Sequence, residues 1–538
     1  DGHMSYSFFR RLVLPVLLTA SLLVPSAASI SSAAATPDAY HDDWLHVNDN
    51  AEIVDRNGNP VWLTGCNWFG YNVGSQVFDG VWSQNMHEML TQIADHGFNL
   101  LRIPVSTELL LQWKNGDPDP ATPKVNEWTN PELTKEGVVG GTVKYSFDIW
   151  NQAIAWCREL GIKIMIDIHS AETASAGHQV NLWYTDKFST EDWFEALSWF
   201  ADYYKDDDTI LAIDLKNEPH GKADVPDKMA KWDDTTDPNN WKYAAEQAAA
   251  HVLKENPNLL VMVEGVEVYP KEGYDWTAPA IDWTTNTEYY YGTWWGGNFR
   301  GAKENPIDLG EYQSQLVYSP HDYGPLVYQQ KWFYEGFTKE TLLKDCWYDN
   351  WFYLLDEKVA PLLMGEWGGF IDSQHDPDGS NQKWMLALRD LMIENHIHHT
   401  FWCFNENSGD TGGLVYDNFG KWDEDKYALV EPALWQTDSG KFISLDHQTA
   451  LGANGISLGD YYGGSTNPTD PTTPTESPIK GDANGDEMTN ILDSMLIRRY
   501  LLDPKTILVT ENADWNENNT VDLTDLISLN RFLLKQDV

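Results

Sequence analysis

The fold is decided by residues 210–219, which read Ile-Leu-Ala-Ile-Asp-Leu-Lys-Asn-Glu-Pro. The segment opens as a short apolar run, which is typical of a strand buried on both faces of a parallel sheet. Polar residues follow, and Pro219 biases Glu218 towards an extended backbone and prevents a helix from starting there. We therefore predict a strand over Ile210–Asn217 that ends beside a carboxylate.

Seven other short apolar runs have the same character, and helical patterns separate some of them. The predicted strands are Val61–Cys66, Asn99–Pro104, Ile162–His169, Leu259–Glu264, Leu316–Pro320, Leu362–Glu366 and Thr400–Phe404. The predicted helices include Met86–His96, Phe147–Leu160, Trp241–Asn256 and Gln382–Asn395. Eight strands with helical crossovers predict an α/β fold, a (β/α)₈ TIM barrel. A doubly wound open sheet is the alternative, although no glycine-rich phosphate loop follows the first strand.

A second carboxylate stands at the end of the seventh predicted strand, where Met364-Gly365 leads into Glu366. Active sites of such barrels lie at the C-terminal strand ends, and strands four and seven face each other across the barrel mouth. For either glutamate alone, a solvated loop residue is the favoured interpretation. Two facing carboxylates can hydrolyse a glycosidic bond, because one protonates the leaving oxygen while the other attacks or activates water.

Further polar and aromatic residues stand at the ends of other strands. They are Arg102 on strand two, His169 on strand three, His321 and Tyr323 after strand six, and Trp402 on strand eight. An arginine beside a carboxylate lowers the pKa of that carboxyl and keeps it ionised, as a nucleophile requires. The predicted site therefore offers different surroundings to its two carboxylates.

Five segments, in chain order, carry a likeness to a known family. They are 65–70, 217–220, 294–298, 316–323 and 400–413, and they include Asn217-Glu218-Pro219-His220 and Trp294-Trp295-Gly296-Gly297. Residues from about 40 to 460 resemble glycoside hydrolase family 5, the retaining cellulases, and most of all its bacterial endo-β-1,4-glucanases. The resemblance implies a cellulose substrate and chemistry that needs no cofactor.

The resemblance also implies a role for each matched residue. Glu218 is expected to be the acid/base and Glu366 the nucleophile, while Asn217 holds the sugar 2-hydroxyl. Arg102, His169, His321 and Tyr323 are expected to position the carboxylates and the substrate. Trp402 is expected to form the floor of the subsite where the bond is cleaved. Trp68 and Trp295 are expected to be further platforms on which sugars stack. Core packing is the ordinary role of most other tryptophans in the chain.

Charge and composition restrict the remaining function classes. With 36 Lys and Arg against 82 Asp and Glu, the formal net charge of the 538 residues is −46. This sign argues against nucleic acid, since phosphate binding needs cations, and against anionic membrane surfaces. The 26 Trp and 25 Tyr suit a long neutral ligand that stacks on flat faces.

The sequence divides into four parts. Residues 1–35 combine a cloning remnant with a predicted secretory signal peptide, because Arg10-Arg11, a short apolar stretch and Ala33-Ala34-Ala35 follow in order. An N-terminal membrane anchor is the alternative, but 13 apolar residues over Leu12–Val24 are short for a span. The predicted catalytic domain covers 36–462, a Pro/Thr-rich linker covers 463–478 and a small module covers 479–538.

The small module contains a duplicated loop with oxygen-bearing side chains at positions 1, 3, 5, 9 and 12, the pattern of an EF-hand Ca²⁺ loop. Two Ca²⁺ ions are expected, with position 7 contributing backbone carbonyls. The predicted ligands are Asp482, Asn484, Asp486, Met488, Asn490 and Asp493 in the first loop, and Asp514, Asn516, Asn518, Thr520, Asp522 and Asp525 in the second.

This pair of loops resembles a dockerin, the all-α module that attaches a cellulosomal enzyme to a cohesin of a scaffoldin. Position 6 departs from the usual glycine, since Glu487 and Asn519 stand there. Each loop must therefore turn with a side chain present. The resemblance implies a structural role for Ca²⁺ and a cohesin partner.

Two other groups of residues have alternative interpretations. His396, His398 and His399 could bind a metal, but they precede strand eight and so belong near the non-catalytic face. Cys66 and Cys403 lie on neighbouring strands, and buried free thiols are favoured over a disulfide.

Together these features predict a secreted, cellulosome-associated endo-β-1,4-glucanase with a monomeric catalytic domain. The alternatives of the same fold are a β-mannanase, a xyloglucanase and a mixed-linkage glucanase. A binding-only protein and a Ca²⁺ sensor are the rivals from other classes.

Overall fold

The structure is a computed structural model. It describes residues 42–116, 123–221, 228–279, 288–463, 479–484, 489–502, 504, 506 and 508–536. The predicted signal peptide, the linker after Gly463, and the loop residues Asp486 and Met488 lie outside these ranges. One compact unit spans His41–Ser457 and another contains Leu458–Val538.

Eight parallel strands form the centre of the larger unit. They are β1 (Thr64–Asn67), β2 (Leu100–Ser106), β3 (Lys163–Ser170), β4 (Ile210–Asp214), β5 (Leu260–Val263), β6 (Leu316–Tyr318), β7 (Leu363–Met364) and β8 (His398–Phe401). Their hydrogen-bonded order is β6-β5-β4-β3-β2-β1-β8-β7. Parallel bridges Tyr318–Leu362 and His321–Glu366 join β6 to β7 and close the ring. The predicted (β/α)₈ barrel is confirmed, and the open-sheet alternative is wrong.

Four helices of the barrel unit lie where the apolar periodicity predicts them, namely Met86–Asp95, Ser146–Leu160, Trp241–Glu255 and Ser380–Asn395. The same unit also contains the α-helices Thr107–Asn115, Thr190–Tyr203 and Glu424–Val430; the segments Lys339–Leu342, Leu343–Phe352 and Tyr353–Asp356 follow one another, the middle one π-helical. The helix Leu458–Gly463 belongs to the other unit. Short polar caps define several ends. Asn85 accepts a hydrogen bond from the N–H of Glu88, and Ser189 forms a capping box with Asp192.

Short antiparallel strand pairs and 3₁₀ helices lie in the loops of the barrel unit. The pairs are His46–Val47 with Ile53–Val54, Val268–Pro270 with Tyr290–Gly292, and Val415–Tyr416 with Lys421–Trp422. The 3₁₀ helices are Pro131–Leu133, Gly177–Gln179, Arg300–Lys303, Gly310–Gln315 and Glu431–Ala433.

A buried polar cluster ties segments near both ends of the barrel unit to the start of β3. Nζ of Lys163 lies 2.6 Å from Asp43 Oδ2 and 3.3 Å from Asp446 Oδ2. The two ring nitrogens of His447 lie 2.6 Å from Asp43 Oδ1 and 2.9 Å from Asp55 Oδ2. Burial alone would lower the pKa of His447, but these two carboxylates raise it to about 9. The cluster therefore pairs two buried cations with buried carboxylates.

The three histidines before and within β8 each contact a different part of the protein. His396 stacks on Trp62 at 4.8 Å, His398 Nδ1 accepts the N–H of Leu63, and His399 Nε2 lies 2.7 Å from the carbonyl of Ala433. Burial lowers the pKa of each ring. These separate contacts favour packing over a metal site.

The four cysteines, all within the described ranges, are buried free thiols. The favoured prediction for Cys66 and Cys403 is therefore confirmed. Over the same ranges, no helix is long and apolar enough to cross a membrane.

The smaller unit contains the helices Ile491–Leu502, Thr510–Ala513 and Leu523–Gln536. Its core is made of Ala483, Ile497, Ala513, Val521, Leu526 and Leu529. Each of the two longer helices follows one predicted loop, so the repeat in the sequence is also a repeat in the structure.

The last acidic residue of each loop makes the same contacts in both repeats. Asp493 and Asp525 are fully buried, and each accepts hydrogen bonds from the N–H groups of loop positions 3 and 9. The donors are Asn484 and Asn490 at 3.1 and 2.8 Å in the first loop, and Asn516 and Asp522 at 3.1 and 2.8 Å in the second. Asn519 at position 6 adopts φ +67°, so this loop turns through the left-handed region with a side chain present.

Candidate active site

The barrel brings Glu218 and Glu366 together at the C-terminal ends of its strands. Glu218 follows β4 and Glu366 follows β7, and both side chains are largely buried. A carboxylate oxygen of each lies within 4.8 Å of the other. Nδ1 of His321 lies 3.1 Å from Oε2 of Glu218 and 3.7 Å from Oε2 of Glu366. The two glutamates predicted from separate strand ends therefore share one pocket.

Both oxygens of Glu366 are held by donors. Tyr323 donates its O–H to Oε1 at 2.7 Å, and Arg102 Nη1 donates to Oε2 at 3.0 Å. Close packing explains the preceding Gly365, because a Cβ there would lie 2.7 Å from His321 Nε2. The arrangement fixes the orientation of the Glu366 side chain.

Glu218 has the opposite surroundings. Its Oε2 lies 3.1 Å from His321 Nδ1, and burial raises the pKa of Glu218 to about 7. Burial also lowers the pKa of His321 to about 4, which leaves that ring neutral at pH 7. A neutral imidazole offers Glu218 no positive charge, so burial outweighs the nearby cations and about half of the Glu218 carboxyls keep their proton at pH 7.

The backbone of Glu218 differs from the sequence-based expectation. Its φ is +47°, in the left-handed region, so the predicted extended backbone before Pro219 is wrong. The reason is a tertiary contact: the N–H of Glu218 donates to Oε1 of Glu264 at 3.0 Å. That hydrogen bond outweighs the local bias and turns the side chain towards the pocket.

Arg102 is the charged centre beneath the pocket. It is fully buried on β2, and its guanidinium contacts four carboxylates. The distances are 3.2 Å to Asp167, 3.0 Å to Asp214, 3.5 Å to Glu264 and 3.0 Å to Glu366. Although burial alone would raise the pKa of Asp167, the adjacent Arg102 lowers it.

Asn217 and His169 lie beside this centre as predicted from the strand ends. Asn217 Oδ1 accepts from Arg102 Nη2 at 3.0 Å, and the Asn217 side chain interacts with the carboxyl of Glu218. The amide therefore lies beside the expected acid/base. His169 Nδ1 lies 2.9 Å from Asp167 Oδ1, and its ring stacks against Trp402 at 5.7 Å.

The three predicted platforms differ in accessibility. Trp402 is partly exposed, stacks on Phe69 at 5.5 Å and is followed by a cis peptide bond. Trp295 is also partly exposed and stacks on His220 at 3.7 Å. The prediction for Trp68 is wrong, because this side chain is fully buried against Phe78 and offers no face to a sugar.

Sequence reasoning missed two buried charged residues in the same region. Glu264 follows β5 and contacts the backbone of Glu218, and Lys216 precedes Asn217. Burial lowers the pKa of Lys216 to about 8, and its Nζ donates to the carbonyl of Asn217. Both lie at predicted strand ends, the signal that identified the other site residues.

Comparison with known proteins agrees with this geometry. Residues 54–408 match the cellulase family described as glycosyl hydrolase family 5. The chain belongs to glycosyl hydrolase family 5. Residues 480–534 match the dockerin type I domain, so a dockerin domain is present as predicted.

Some relatives of this family 5 chain match it over most of the length of both proteins. It is 49% identical to endoglucanase G of Acetivibrio thermocellus, over 89% of this chain and 88% of that one. It is 41% identical to endoglucanase B of the same organism, over 92% of each. An endocellulase from Pyrococcus horikoshii, solved with cellotetraose as the variant Y299F, is 30% identical with a TM-score of 0.62, covering 73% of this chain and 98% of that one.

Proposed function

We propose that this protein is a retaining endo-β-1,4-glucanase that hydrolyses internal bonds of cellulose. The observation that carries the proposal is the pair Glu218 and Glu366, with oxygens within 4.8 Å and contrasting partners. Retaining enzymes place their carboxyls about 5–5.5 Å apart, whereas inverting enzymes leave about 6.5–9.5 Å for a water. The names of the relatives, endoglucanases G and B, support the substrate class.

The proposed reaction has two steps. Glu366, held in position by Arg102 and Tyr323, attacks the anomeric carbon while Glu218 protonates the leaving glycosidic oxygen. Glu218 then acts as a base and takes a proton from water, which displaces Glu366 from the sugar. The two carboxyls and water supply every atom and proton that is transferred, so we propose no catalytic cofactor.

The neighbouring residues would bind the sugar. The amide of Asn217, which lies beside Glu218, would donate to the 2-hydroxyl, and Trp402 would form the floor of the cleavage subsite with Trp295 as a further platform. His169, His321 and Arg102 would position these groups. We propose that the catalytic unit is monomeric.

The experiment follows the anomeric proton during hydrolysis of cellotetraose by ¹H NMR. Retention releases the β-anomer first, and the α-anomer then grows by mutarotation. Initial release of the α-anomer would contradict the mechanism. A panel of cellulose, mannan, xyloglucan and mixed-linkage glucan tests the substrate, and highest activity on mannan would identify a mannanase instead.

For the dockerin domain we propose two structural Ca²⁺ ions and attachment to a cohesin. The donor set fits a hard cation, because both loops offer carboxylate and amide oxygens. The first ion would be held by Asp482, Asn484, Asp486, Asn490, Asp493 and the carbonyl of Met488, and the second by Asp514, Asn516, Asn518, Asp522, Asp525 and the carbonyl of Thr520. The equivalent contacts of Asp493 and Asp525 support two similar sites.

We also propose secretion and assembly into a cellulosome. The N-terminal sequence supports export, as does 30% identity over 423 residues to the major extracellular endoglucanase of Xanthomonas campestris. A cohesin pull-down with the full chain, with and without chelator, tests the assembly. Absence of binding to every cohesin of the same source in Ca²⁺ would contradict it.

A further inference from the structure

A carboxyl group outside the proposed catalytic pair lies directly beneath Glu218. Glu264 follows β5, has no exposed surface, and accepts the backbone N–H of Glu218 with Oε1 at 3.0 Å. The same oxygen lies 3.2 Å from Nε2 of His321. The other ring nitrogen of His321, Nδ1, contacts the side chain of Glu218. Glu264 therefore lies next to both the backbone of the acid/base and its neighbouring imidazole.

The surrounding chain makes room for this carboxyl. Gly296 has φ +73°, and a Cβ at that position would lie 2.5 Å from Glu264 Oε1 and 3.4 Å from Cα of Glu218. A glycine is therefore favoured by the positive φ and by the close approach of the Glu264 carboxyl. The fit indicates that Glu264 is a built part of the site.

Charge balance decides its protonation state. Arg102 is the guanidinium among four buried carboxyls, namely those of Asp167, Asp214, Glu264 and Glu366. The buried cations near these carboxyls are Arg102 and Lys216, so negative charge would exceed positive charge if all four carboxyls were ionised. That imbalance is costly in a buried site, which favours one neutral carboxyl. Oδ1 of Asp214 is buried and receives no N–H or hydroxyl hydrogen bond from the described residues, which leaves an acceptor for a carboxylic acid proton.

Glu264 is the group best placed to carry that proton. Burial and the adjacent Asp214 carboxylate raise the pKa of Glu264 well above its ordinary value. The charged and titratable groups around it are Asp214, Arg102, Glu218, Lys216 and His321.

We propose that Glu264 is a positioning residue that acts as a neutral carboxylic acid, donating its proton to Asp214 and holding the backbone of Glu218 through Oε1. This inference rests on the acid/base role proposed for Glu218. An uncharged Glu264 can fix the left-handed backbone of Glu218 without placing a second negative charge beside the proton that Glu218 must deliver.

The test compares the full-length variants Glu264→Gln and Glu264→Leu on two substrates. Cellotetraose has a poor leaving group, whereas 2,4-dinitrophenyl β-cellobioside needs little acid assistance. Glutamine keeps the carbonyl acceptor and donates an N–H to Asp214, whereas leucine removes both contacts. Glu267→Leu is the matched control, because Glu267 is also buried and accepts a backbone N–H, that of Gly221 at 2.9 Å.

For Glu264→Leu we expect kcat/KM on cellotetraose to fall about 100-fold and that on the aryl cellobioside to fall less than about fivefold, because general acid assistance contributes about 10²–10⁴-fold. Glu264→Gln should stay within about threefold of wild type on both substrates, since its hydrogen bonds are preserved. Glu267→Leu should not discriminate between the substrates. Equal losses on both substrates in Glu264→Leu, or a loss in Glu264→Gln as large as in Glu264→Leu, would overturn the inference.

The pH profile tests the proton separately. Replacing a neutral acid by glutamine changes no charge, so the basic limb of kcat/KM should not move in Glu264→Gln. Removing an anion would lower the pKa of Glu218 and move that limb to lower pH, which would overturn the neutral state. A wild type inactive on both substrates would overturn the proposed function and this inference together, whereas failures among variants of an active enzyme concern Glu264 alone.

Discussion

Tyr323 donates a hydrogen bond of 2.7 Å to Oε1 of Glu366, the oxygen that Arg102 does not contact. The hydroxyl and the guanidinium therefore hold the two carboxylate oxygens from different sides. A carboxylate fixed in this way presents a constant direction of attack, since neither oxygen can rotate without losing a donor.

Removing that hydroxyl tests its contribution. Tyr323→Phe should lower kcat/KM on cellotetraose by about 10- to 100-fold, because a hydrogen bond to a charged group is worth about 1.5–3 kcal/mol. Steady-state kinetics measures the effect. Tyr204→Phe is the control. The hydroxyl of Tyr204 donates a hydrogen bond of 2.6 Å to Asn151, and neither residue lies in the pocket. Activity of Tyr323→Phe within twofold of wild type would contradict the assignment.

The acid role of Glu218 predicts the alkaline side of the pH profile. Glu218 must be protonated to act, and burial raises its pKa to about 7, so kcat/KM should fall as pH rises through about 7. Lys216 opposes this shift with its positive charge. Lys216→Met should therefore move the basic limb to higher pH, as rate profiles from pH 4 to 10 would reveal. The exposed Lys187→Met serves as control, and a limb displaced to lower pH in Lys216→Met would argue against Glu218 as the acid.

The two carboxylates should be separable by leaving group. Glu366→Ala removes the nucleophile and should abolish turnover of every substrate, whereas Glu218→Ala should spare the first step on dinitrophenyl cellobioside. Single-turnover release of dinitrophenol measures that step. Similar losses of both variants on this substrate would mean that the roles are assigned wrongly.

The cluster around His447 should affect stability without affecting catalysis. The pKa of His447 is raised from 6.5 to about 9, so its contribution is complete below about pH 6.5 and is lost as pH rises through about 9. His447→Gln should lose about 3 kcal/mol of unfolding free energy at most. The apparent melting temperature should fall by several degrees at pH 6 and by less at pH 10, with kcat unchanged.

The exposed His375→Gln provides the comparison for that experiment. A decrease in melting temperature for His447→Gln that is larger at pH 10 than at pH 6 would show that the ion pairs with Asp43 and Asp55 are not its source.

The repeated dockerin loops should bind calcium with similar dependence on their last aspartate. Asp493→Ala and Asp525→Ala should each lower the calorimetric stoichiometry from two ions to one, and a chelator should reduce the helical signal of the full chain by circular dichroism. Glu511→Ala, an exposed acid outside both loops, should bind two ions. An unchanged stoichiometry in either aspartate variant would show that the loop concerned is not a site.

The sequence predicted the site where local pattern and topology agree. Apolar runs ending in polar residues located Glu218, Glu366, Arg102 and His321, because the ends of parallel strands converge in a barrel. The left-handed backbone of Glu218 was not predictable, since the local effect of Pro219 is overridden by the hydrogen bond that the N–H of Glu218 donates to Glu264 after β5. Glu264 also stands at the end of an apolar run, but only the structure shows that it accepts the backbone N–H of Glu218.

Tryptophans show the other limit of sequence reasoning. Trp402 and Trp68 both stand at barrel strand ends and both match the family pattern, yet one remains partly exposed and the other is fully buried. The difference arises from Phe78, which stacks on Trp68 at 3.9 Å and comes from a loop whose course the sequence does not specify.

The contact between Asp43 and His447 joins residues 404 positions apart. During synthesis Asp43 emerges early, whereas its imidazole partner emerges only after all eight strands have been made. Closing a segment of that length is entropically costly unless the intervening barrel has already shortened the distance. The cluster therefore forms only after the whole barrel has been made, and a chain truncated before residue 447 leaves Asp43 and Asp55 without their imidazole partner.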